Sequence, residues 1–484
     1  VRAVHRRGVG RWRVKLLGAF AALLLVAAPA SAKLNPAEQR MAASVQAEQE
    51  RTLAFLERMV NQNSGSLNPK GVEAVARMVR AELEPLGFTV RWIPLPETGR
   101  AGHLVATKQG RPGRKKLLLI GHLDTVFEPD SPFQKWTREG DRGHGPGAAD
   151  NKGGVAVIVA ALRAMQAAGA LRDANIEVFL TGDEEDPGSP QEIARRDLIA
   201  SGKRADAALD FEGLAQENGR DMGSIARRSV TDWLVTVTAR SAHSSGVFSA
   251  SAGYGANYEL ARILDAFRRE LPEDKLTYNV GLIAGGTTAQ LDEGKIRAEV
   301  TGKANIIAAQ AYARGDMRAL SLEQVERTKA KMQAIVAQSL PGAKATVAFE
   351  EGYPPMPPTS GNRALLDRLN KVNADLQLPA MEALDPLKRG AGDISFVAAD
   401  VDGLIGLGPA SDGDHTPEER VDIPSIWRQA TRAAILMSRL ALASAREQGL
   451  RVMPQCSFVA SYMKRHPETH DLLDPAYAKL LGVA

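Results

Sequence analysis

Lys116-Leu-Leu-Leu-Ile-Gly-His-Leu-Asp124 is the stretch whose reading decides the fold. Leu117 to Ile120 are uninterrupted apolar residues, as in a strand buried on both faces. The run stops at Gly121, with His122 and Asp124 just beyond it. The same arrangement recurs outward from here. Ile176–Leu180 is a second apolar run and leads into Thr181-Gly-Asp-Glu-Glu185. Ala207–Leu209 is a short third run, followed by Asp210 and Glu212. Val155–Ala168, rich in alanine and valine, predicts a helix between the first two. Residues 38–60 and 71–86 read as amphipathic helices, Leu404–Leu407 as a strand and Pro424–Glu447 as a helix. Buried strands alternating with helices predict an α/β domain with a mostly parallel central sheet and flanking helices.

Near residue 226 the texture changes. Trp233-Leu-Val-Thr-Val-Thr238 alternates as a half-buried strand does. Tyr258–Leu271 and Leu322–Gln338 read as helices, and Val280–Ile283, Ile296–Val300 and Ala311–Arg318 as strands. This predicts a smaller α+β unit over 226–346, inserted in the α/β domain. Tyr353-Pro-Pro-Met-Pro-Pro358 is a stiff connection back. The expected organisation is a leader over 1–32, a first catalytic part over 33–225, the insertion, a second catalytic part over 347–450, and a C-terminal extension over 451–484.

The leader rests on its own pattern. Arg2, Arg6, Arg7, Arg11, Arg13 and Lys15 precede an apolar run, Leu16 to Ala28, and then Ala30-Ser31-Ala32. Basic, apolar and small segments in this order read as a secretory signal peptide cut after Ala32. The apolar run falls short of the roughly 20 residues of a membrane span. Removing those six cations leaves 55 basic against 57 acidic residues, a balance of −2. That gives no basis for a nucleic-acid partner. Cys456 is the single cysteine, so a metal must be held by His, Asp and Glu. No cysteine near Ala32 offers a lipid anchor, and the product is expected to be periplasmic or secreted.

The chemistry-bearing residues gather at strand ends. His122 and Asp124 end the first strand, Glu184 and Glu185 the second, Asp210 and Glu212 the third. Asp150 lies in Gly145-Pro-Gly-Ala-Ala-Asp-Asn-Lys-Gly-Gly154, a loop entering a helix, and His415 in Gly413-Asp-His-Thr-Pro417. Open α/β sheets place their sites beyond the carboxyl ends of the strands. Carboxylates crowded there repel one another. Divalent cations remove that conflict and suit oxygen and imidazole donors.

With these motifs, over most of residues 40–448, the chain resembles the co-catalytic zinc family of bacterial glutamate carboxypeptidase, aminoacylase and succinyl-diaminopimelate desuccinylase. The resemblance implies two zinc ions per chain, cobalt or manganese being alternative occupants. It implies His122 and Glu212 on one ion, Glu185 and His415 on the other, and Asp150 bridging. Asp210 stands close enough to compete with Glu212. Asp124 would orient His122, and Glu184 would be the general base. In the inserted unit, His243 of Ser241-Ala-His243 resembles the histidine that polarises the substrate carbonyl, often across a homodimer; a surface turn is the alternative. Asn305 and Arg318 resemble the pair that binds the substrate carboxylate, and Gly390 belongs to a glycine-rich loop, Gly390-Ala-Gly-Asp393, near the substrate.

The implied activity is hydrolysis of an amide bond beside a free carboxylate in a small peptide or N-acyl amino acid. The inserted unit would be a lid and dimer interface. An aminopeptidase or dipeptidase of the same family is the alternative. A non-catalytic binding protein on this fold would be expected to lack Glu184 or several ligands, and all are present. There are departures. Tyr353 stands where the glutamate carboxypeptidase has a second arginine, and Leu291–Gly302 is longer than usual. His103 and His144 match no ligand position and read as surface residues. N-terminal sequencing of natively expressed protein is expected to find a start near Lys33; retention of Arg2 or Leu16 overturns the leader.

Overall fold

Alternation along β3 (Lys116–His122) sends Leu117 and Leu119 to one core and Leu118 and Ile120 to another. The computed structural model describes residues 34–447, 453–454 and 457–483, so the expected leader and Cys456 lie outside the described residues. With the strands of the two main sheets numbered in chain order, β3 belongs to a six-stranded sheet. Its other members are β1 (Thr89–Pro94), β2 (Gly102–Lys108), β4 (Asn175–Thr181), β5 (Ala207–Asp210) and β11 (Gly403–Ile405). The order is β1-β2-β4-β3-β5-β11. The last four are parallel, and β1 and β2 add an antiparallel edge.

Helices cover both faces. α1 (Pro36–Ala47), α2 (Gln49–Val60), α3 (Pro69–Leu83), α4 (Lys152–Ala167) and the long α9 (Ile423–Glu447) share one core. α5 (Gln191–Gly202) brings Leu198 to the other. Nearly all of α4 is buried, which is why its sequence is apolar all round.

Trp233, Val235 and Val237 lie on the inner face of β6 (Thr231–Ala239), in a second sheet with its own core. β7 (Thr277–Tyr278), β8 (Leu282–Gly286), β9 (Gln310–Arg318) and β10 (Ala343–Glu351) complete this antiparallel sheet. α6 (Ala256–Glu270) and α7 (Leu322–Ala337) pack on its inner face, where Trp233 and Phe267 meet edge to face at 5.7 Å. The outward residues of β6 are only half-buried, which produces the alternation in the sequence. β10 runs past residue 346 because it pairs along the whole of β6, from Ala239↔Ala343 to Thr231↔Glu351. After it, α8 (Ser360–Asp375) returns to the first core.

The chain crosses between the two units twice, and the crossings pair with each other. Arg227 and Met356 exchange both backbone hydrogen bonds at 2.9 Å. Val230 donates to the Tyr353 carbonyl at 2.9 Å and accepts from the Gly352 amide at 3.0 Å.

Some expectations fail locally. The helix expected over 38–60 breaks at Glu48, letting α1 pack on α4 and α9 while α2 packs on α4. The edge strand β1 and its neighbour β2 interleave charged and aromatic residues with apolar ones and show no long apolar run. Leu291–Gly302 includes most of a hairpin, Thr288–Leu291 against Ala298–Thr301. His103 is not a surface residue: it is fully buried on β2, with Nε2 2.7 Å from the Ala194 carbonyl. His144 is half-buried, its Nε2 2.8 Å from the Pro417 carbonyl. Within the described residues no helix is long and apolar enough to cross a membrane.

Candidate metal centre

Parallel register places the carboxylates. β5 pairs with β3 so that Asp210 lies beside Ile120. Two residues further on, Glu212 comes level with His122, and its Oε1 lies 3.3 Å from His122 Nε2. Asp150 arrives from the N-terminus of α4. Gly154 in the first turn lets that helix close on the sheet, because a Cβ there would strike the Phe211 carbonyl. Asn151 donates to the same carbonyl at 3.0 Å and accepts from the His122 amide at 3.3 Å.

Two donor groups result. His122, Asp150 and Glu212 form one, and Asp150, Glu185 and His415 the other, with candidate ligand atoms in each within 4.8 Å of one another. Asp150 is common to both. Its Oδ1 lies 3.0 Å from His122 Nε2 and its Oδ2 3.1 Å from His415 Nε2. Glu185 Oε2 lies 3.2 Å from His415 Nε2. Asp210 stands outside both groups: its Oδ1 accepts from the Glu212 amide at 3.2 Å. His122 is buried and His415 exposed, so the cluster opens on the His415 side.

A set of polar contacts holds these residues. Asp124 is wholly buried, with Oδ1 3.3 Å from His122 Nδ1. It also accepts from Ser66 Oγ at 2.6 Å and from the amides of Glu184 and Glu185, each at 3.1 Å. Glu419 accepts the amides of Gly147, Ala149 and Asp150 at 2.9–3.1 Å, tying the Asp150 loop to the His415 loop. Arg227 donates to Glu212 Oε2 at 3.1 Å and to the Ala391 carbonyl. Buried Arg195 donates to Asp183 Oδ1 at 2.7 Å and Asp393 Oδ1 at 2.9 Å, and Thr181 Oγ1 donates to Asp393.

The electrostatics call for added positive charge. Burial alone would lower the His122 pKa, but hydrogen bonds to Asp124, Asp150 and Glu212 raise it well above the usual imidazole range. Hydrogen bonds to Asp150 and Glu185 raise His415 to about 11. Burial pushes Glu185 up to about 7, against the pull of His415, and Glu184 well above the carboxylate range, against the pull of His122. Oxygen and imidazole donors so arranged fit divalent cations, which would take the place of the imidazole protons.

The residues expected to meet substrate are elsewhere. His243 is exposed, its Nδ1 2.9 Å from Ser245 Oγ. Its backbone bridges to Ile306, and the Ser244 amide donates to the Asn305 carbonyl at 2.9 Å, so His243 and Asn305 are neighbours. Arg318, at the end of β9, donates to Asp316 Oδ2 at 2.9 Å. Within the described residues no hydrogen bond or ion pair joins these three to the five cluster residues. Gly390 is exposed, with open space around a Cβ position, and its carbonyl lies 3.4 Å from Arg227. Sequence reasoning missed Ser66, Arg195, Arg227 and Glu419. Only the adjacent cations Arg227 and Arg228 beside the change of texture offered a signal.

Comparison with known proteins agrees with this geometry. Residues 118–439 match the family model described as peptidase family M20/M25/M40. A GCN5-related N-acetyl-transferase model matches only residues 429–472, which begin inside α9 of the hydrolase core. Carboxypeptidase G2 of Pseudomonas sp. (strain RS-16) is 29% identical over 405 residues, covering 81% of this chain and 90% of the relative. Succinyl-diaminopimelate desuccinylase of Variovorax paradoxus is 27% identical over 392 residues, covering 78% and 94%. Aminopeptidase PepT of Bacillus cereus shares the fold, with a TM-score of 0.65 at 17% identity over 81% of this chain and 99% of that one. With most of its length inside the family match and its His, Asp and Glu residues gathered into two groups around Asp150, the chain belongs to peptidase family M20/M25/M40 and is a metallohydrolase similar to carboxypeptidase G2.

Proposed function

We propose that the protein is an exported di-zinc hydrolase that cleaves an amide bond next to a free carboxylate, as a carboxypeptidase or N-acyl-amino-acid deacylase does. The observation that carries this is Asp150, which gives one carboxylate oxygen to each of two His-and-carboxylate groups. Two further facts support it. The relatives matched along most of their length are named a carboxypeptidase and a desuccinylase. Glu212 rather than Asp210 stands in the cluster, and a Glu at this ligand position resembles the carboxypeptidases and deacylases, whereas an Asp resembles the dipeptidases and aminopeptidases.

Two divalent cations supply a lowered pKa to water and stabilise charge on a carbonyl oxygen. The chain's own residues do the rest. His122, Asp150 and Glu212 would hold one cation; Asp150, Glu185 and His415 would hold the other. Asp124 keeps the His122 ring turned toward the first. Glu184 takes a proton from the attacking water and passes it to the leaving amine. His243, Asn305 and Arg318 reach the substrate when the small unit closes as a lid, or from the partner in a homodimer. That no hydrogen bond or ion pair among the described residues joins them to the cluster motivates this, and closure would exclude water from the site. Export rests on the expected leader alone.

Each chain is expected to bind two divalent ions. Both imidazoles have raised pKa values, so near neutral pH each holds a proton that a cation must displace. Binding is therefore expected to release protons and to weaken as pH falls. Titration calorimetry in buffers of different ionisation enthalpy, with elemental analysis, checks this. One tight ion at most, with activity untouched by chelation, contradicts it.

Glu184→Gln is expected to lose about 100- to 10,000-fold in turnover with both metals retained, the usual contribution of a general base. Loss of a metal in that variant, but not in Glu185→Gln, would mean the two roles are exchanged. Blocking the substrate's C-terminal carboxylate should abolish cleavage. Sensitivity to blocking the N-terminus instead favours the aminopeptidase or dipeptidase reading.

Arg318→Ala is expected to raise KM about 10- to 100-fold for carboxylate substrates, as loss of a charged hydrogen-bonded contact does. His243→Ala should lower kcat by about 100- to 1,000-fold, since charge on the carbonyl oxygen develops only in the transition state. Mixing inactive Glu184→Gln and His243→Ala subunits should restore some activity if His243 acts across a dimer. A fully active monomer excludes that.

A further inference from the structure

The two crossings between the units each carry one side chain onto a carboxylate residue of the centre. Arg227, on the first, donates to the Glu212 carboxylate at 3.1 Å. Tyr353, on the second, donates its hydroxyl to the Glu184 backbone carbonyl at 2.6 Å. The crossings are themselves a short antiparallel pair, bonded at Arg227–Met356 and Val230–Tyr353.

We propose that Tyr353 is a positioning residue for Glu184, holding the general base in place from the hinge of the small unit. This rests on the assignment of Glu184 as base. The peptide of Glu184 is gripped at both ends. Its N–H goes to Asp124 Oδ1 at 3.1 Å and its carbonyl to Tyr353. Within the described residues no hydrogen bond or ion pair holds the Glu184 carboxylate itself, so the backbone is the part of the residue that surrounding hydrogen bonds fix. Tyr353 is fixed in turn. Its hydroxyl accepts from Arg195 at 3.3 Å, and its ring packs 5.1 Å from that of Phe396. Arg195 also holds Asp183, the residue before the base, through both side chain and carbonyl.

The same contacts change the meaning of the residue in the sequence. Tyr353 stands where a substrate-binding arginine was expected, yet its hydroxyl donates to Glu184 and accepts from Arg195. It is committed to the base rather than offered to a substrate carboxylate. The hinge strand and the base thereby move together. A shift of the small unit acts on the Glu184 peptide through one hydrogen bond.

Tyr353→Phe in the full metal-loaded chain tests this, because it keeps the ring against Phe396 and removes only the hydroxyl. The expected result is a fall in kcat of about two- to tenfold, the worth of one net hydrogen bond. KM and bound metal should be unchanged, and the melting temperature should fall by no more than the few degrees that one hydrogen bond is worth. A second readout needs no turnover. Amide hydrogen exchange at Glu184 and Glu185 should be faster than in the unsubstituted chain, with or without metal. Unchanged kcat with unchanged exchange overturns the proposal. So does a rise in KM at constant kcat, which would make Tyr353 a substrate contact, or loss of a metal ion, which would make its role structural. If the unsubstituted enzyme cleaves no N-acyl amino acid or peptide, the hydrolase reading fails, and the exchange measurement alone decides whether Tyr353 holds the Glu184 peptide.

Discussion

Asp150 has one carboxylate oxygen against each of two imidazoles, and the rest of the centre is built around keeping it there. A carboxylate that serves two sites has almost no freedom of position. The chain meets that demand from four sides. Asn151 ties the start of α4 to β3 and to the carbonyl of Phe211. Gly154 allows the helix to approach that carbonyl. Lys152 is buried and donates to the carbonyls of Gln62 and Pro146. Glu419 gathers three amides of the loop on one carboxylate. Burying Glu419 is costly, and burial pushes it up to about 7 despite those three bonds. What it provides is a rigid link between Asp150 and the loop that carries His415.

Crowded carboxylates constrain the rest of the site. Asp124, Asp150, Glu184, Glu185 and Glu212 converge on a small volume, and like charges at that range oppose one another. The fold answers partly with its own cations. Arg227 takes Glu212, and Arg195 takes Asp183 and Asp393 behind the strand that carries Glu184 and Glu185. The remaining demand falls on the imidazoles, whose raised pKa values record it. The chemistry of the donors and the charge they lack point to the same occupant.

The division into two cores leaves the candidate metal ligands on one unit and His243, Asn305 and Arg318 on the other. The antiparallel sheet encloses its own apolar interior, with Trp233 at its centre, and shares little with the six-stranded sheet beyond the paired crossings. The crossings link the units through two polar contacts at the centre, and each falls on a different carboxylate residue.

The sequence by itself determined the α/β class and the candidate His, Asp and Glu residues that gather around Asp150. Those follow from local rules. Strand burial has a period of two, helix burial a longer one, and parallel strands end on the same side of a sheet. His122, the pair Glu184-Glu185, the pair Asp210 and Glu212, and His415 could therefore be picked out as candidates from their positions after apolar runs, while the ligand set among them came from the family resemblance. The choice between Asp210 and Glu212 needed the β3–β5 register, which no single segment contains. Glu419 sits in the acidic run Glu418-Glu419, and Arg195 reads as one charge among several on a helix. His103 looked like a surface residue until β2 was seen to lie inside the sheet. Tyr353 looked like a missing substrate contact until its partner proved to be a backbone carbonyl, 169 residues away in sequence. Only the tertiary structure decided these, because a hydrogen bond across such separations leaves no periodic trace in the chain that makes it.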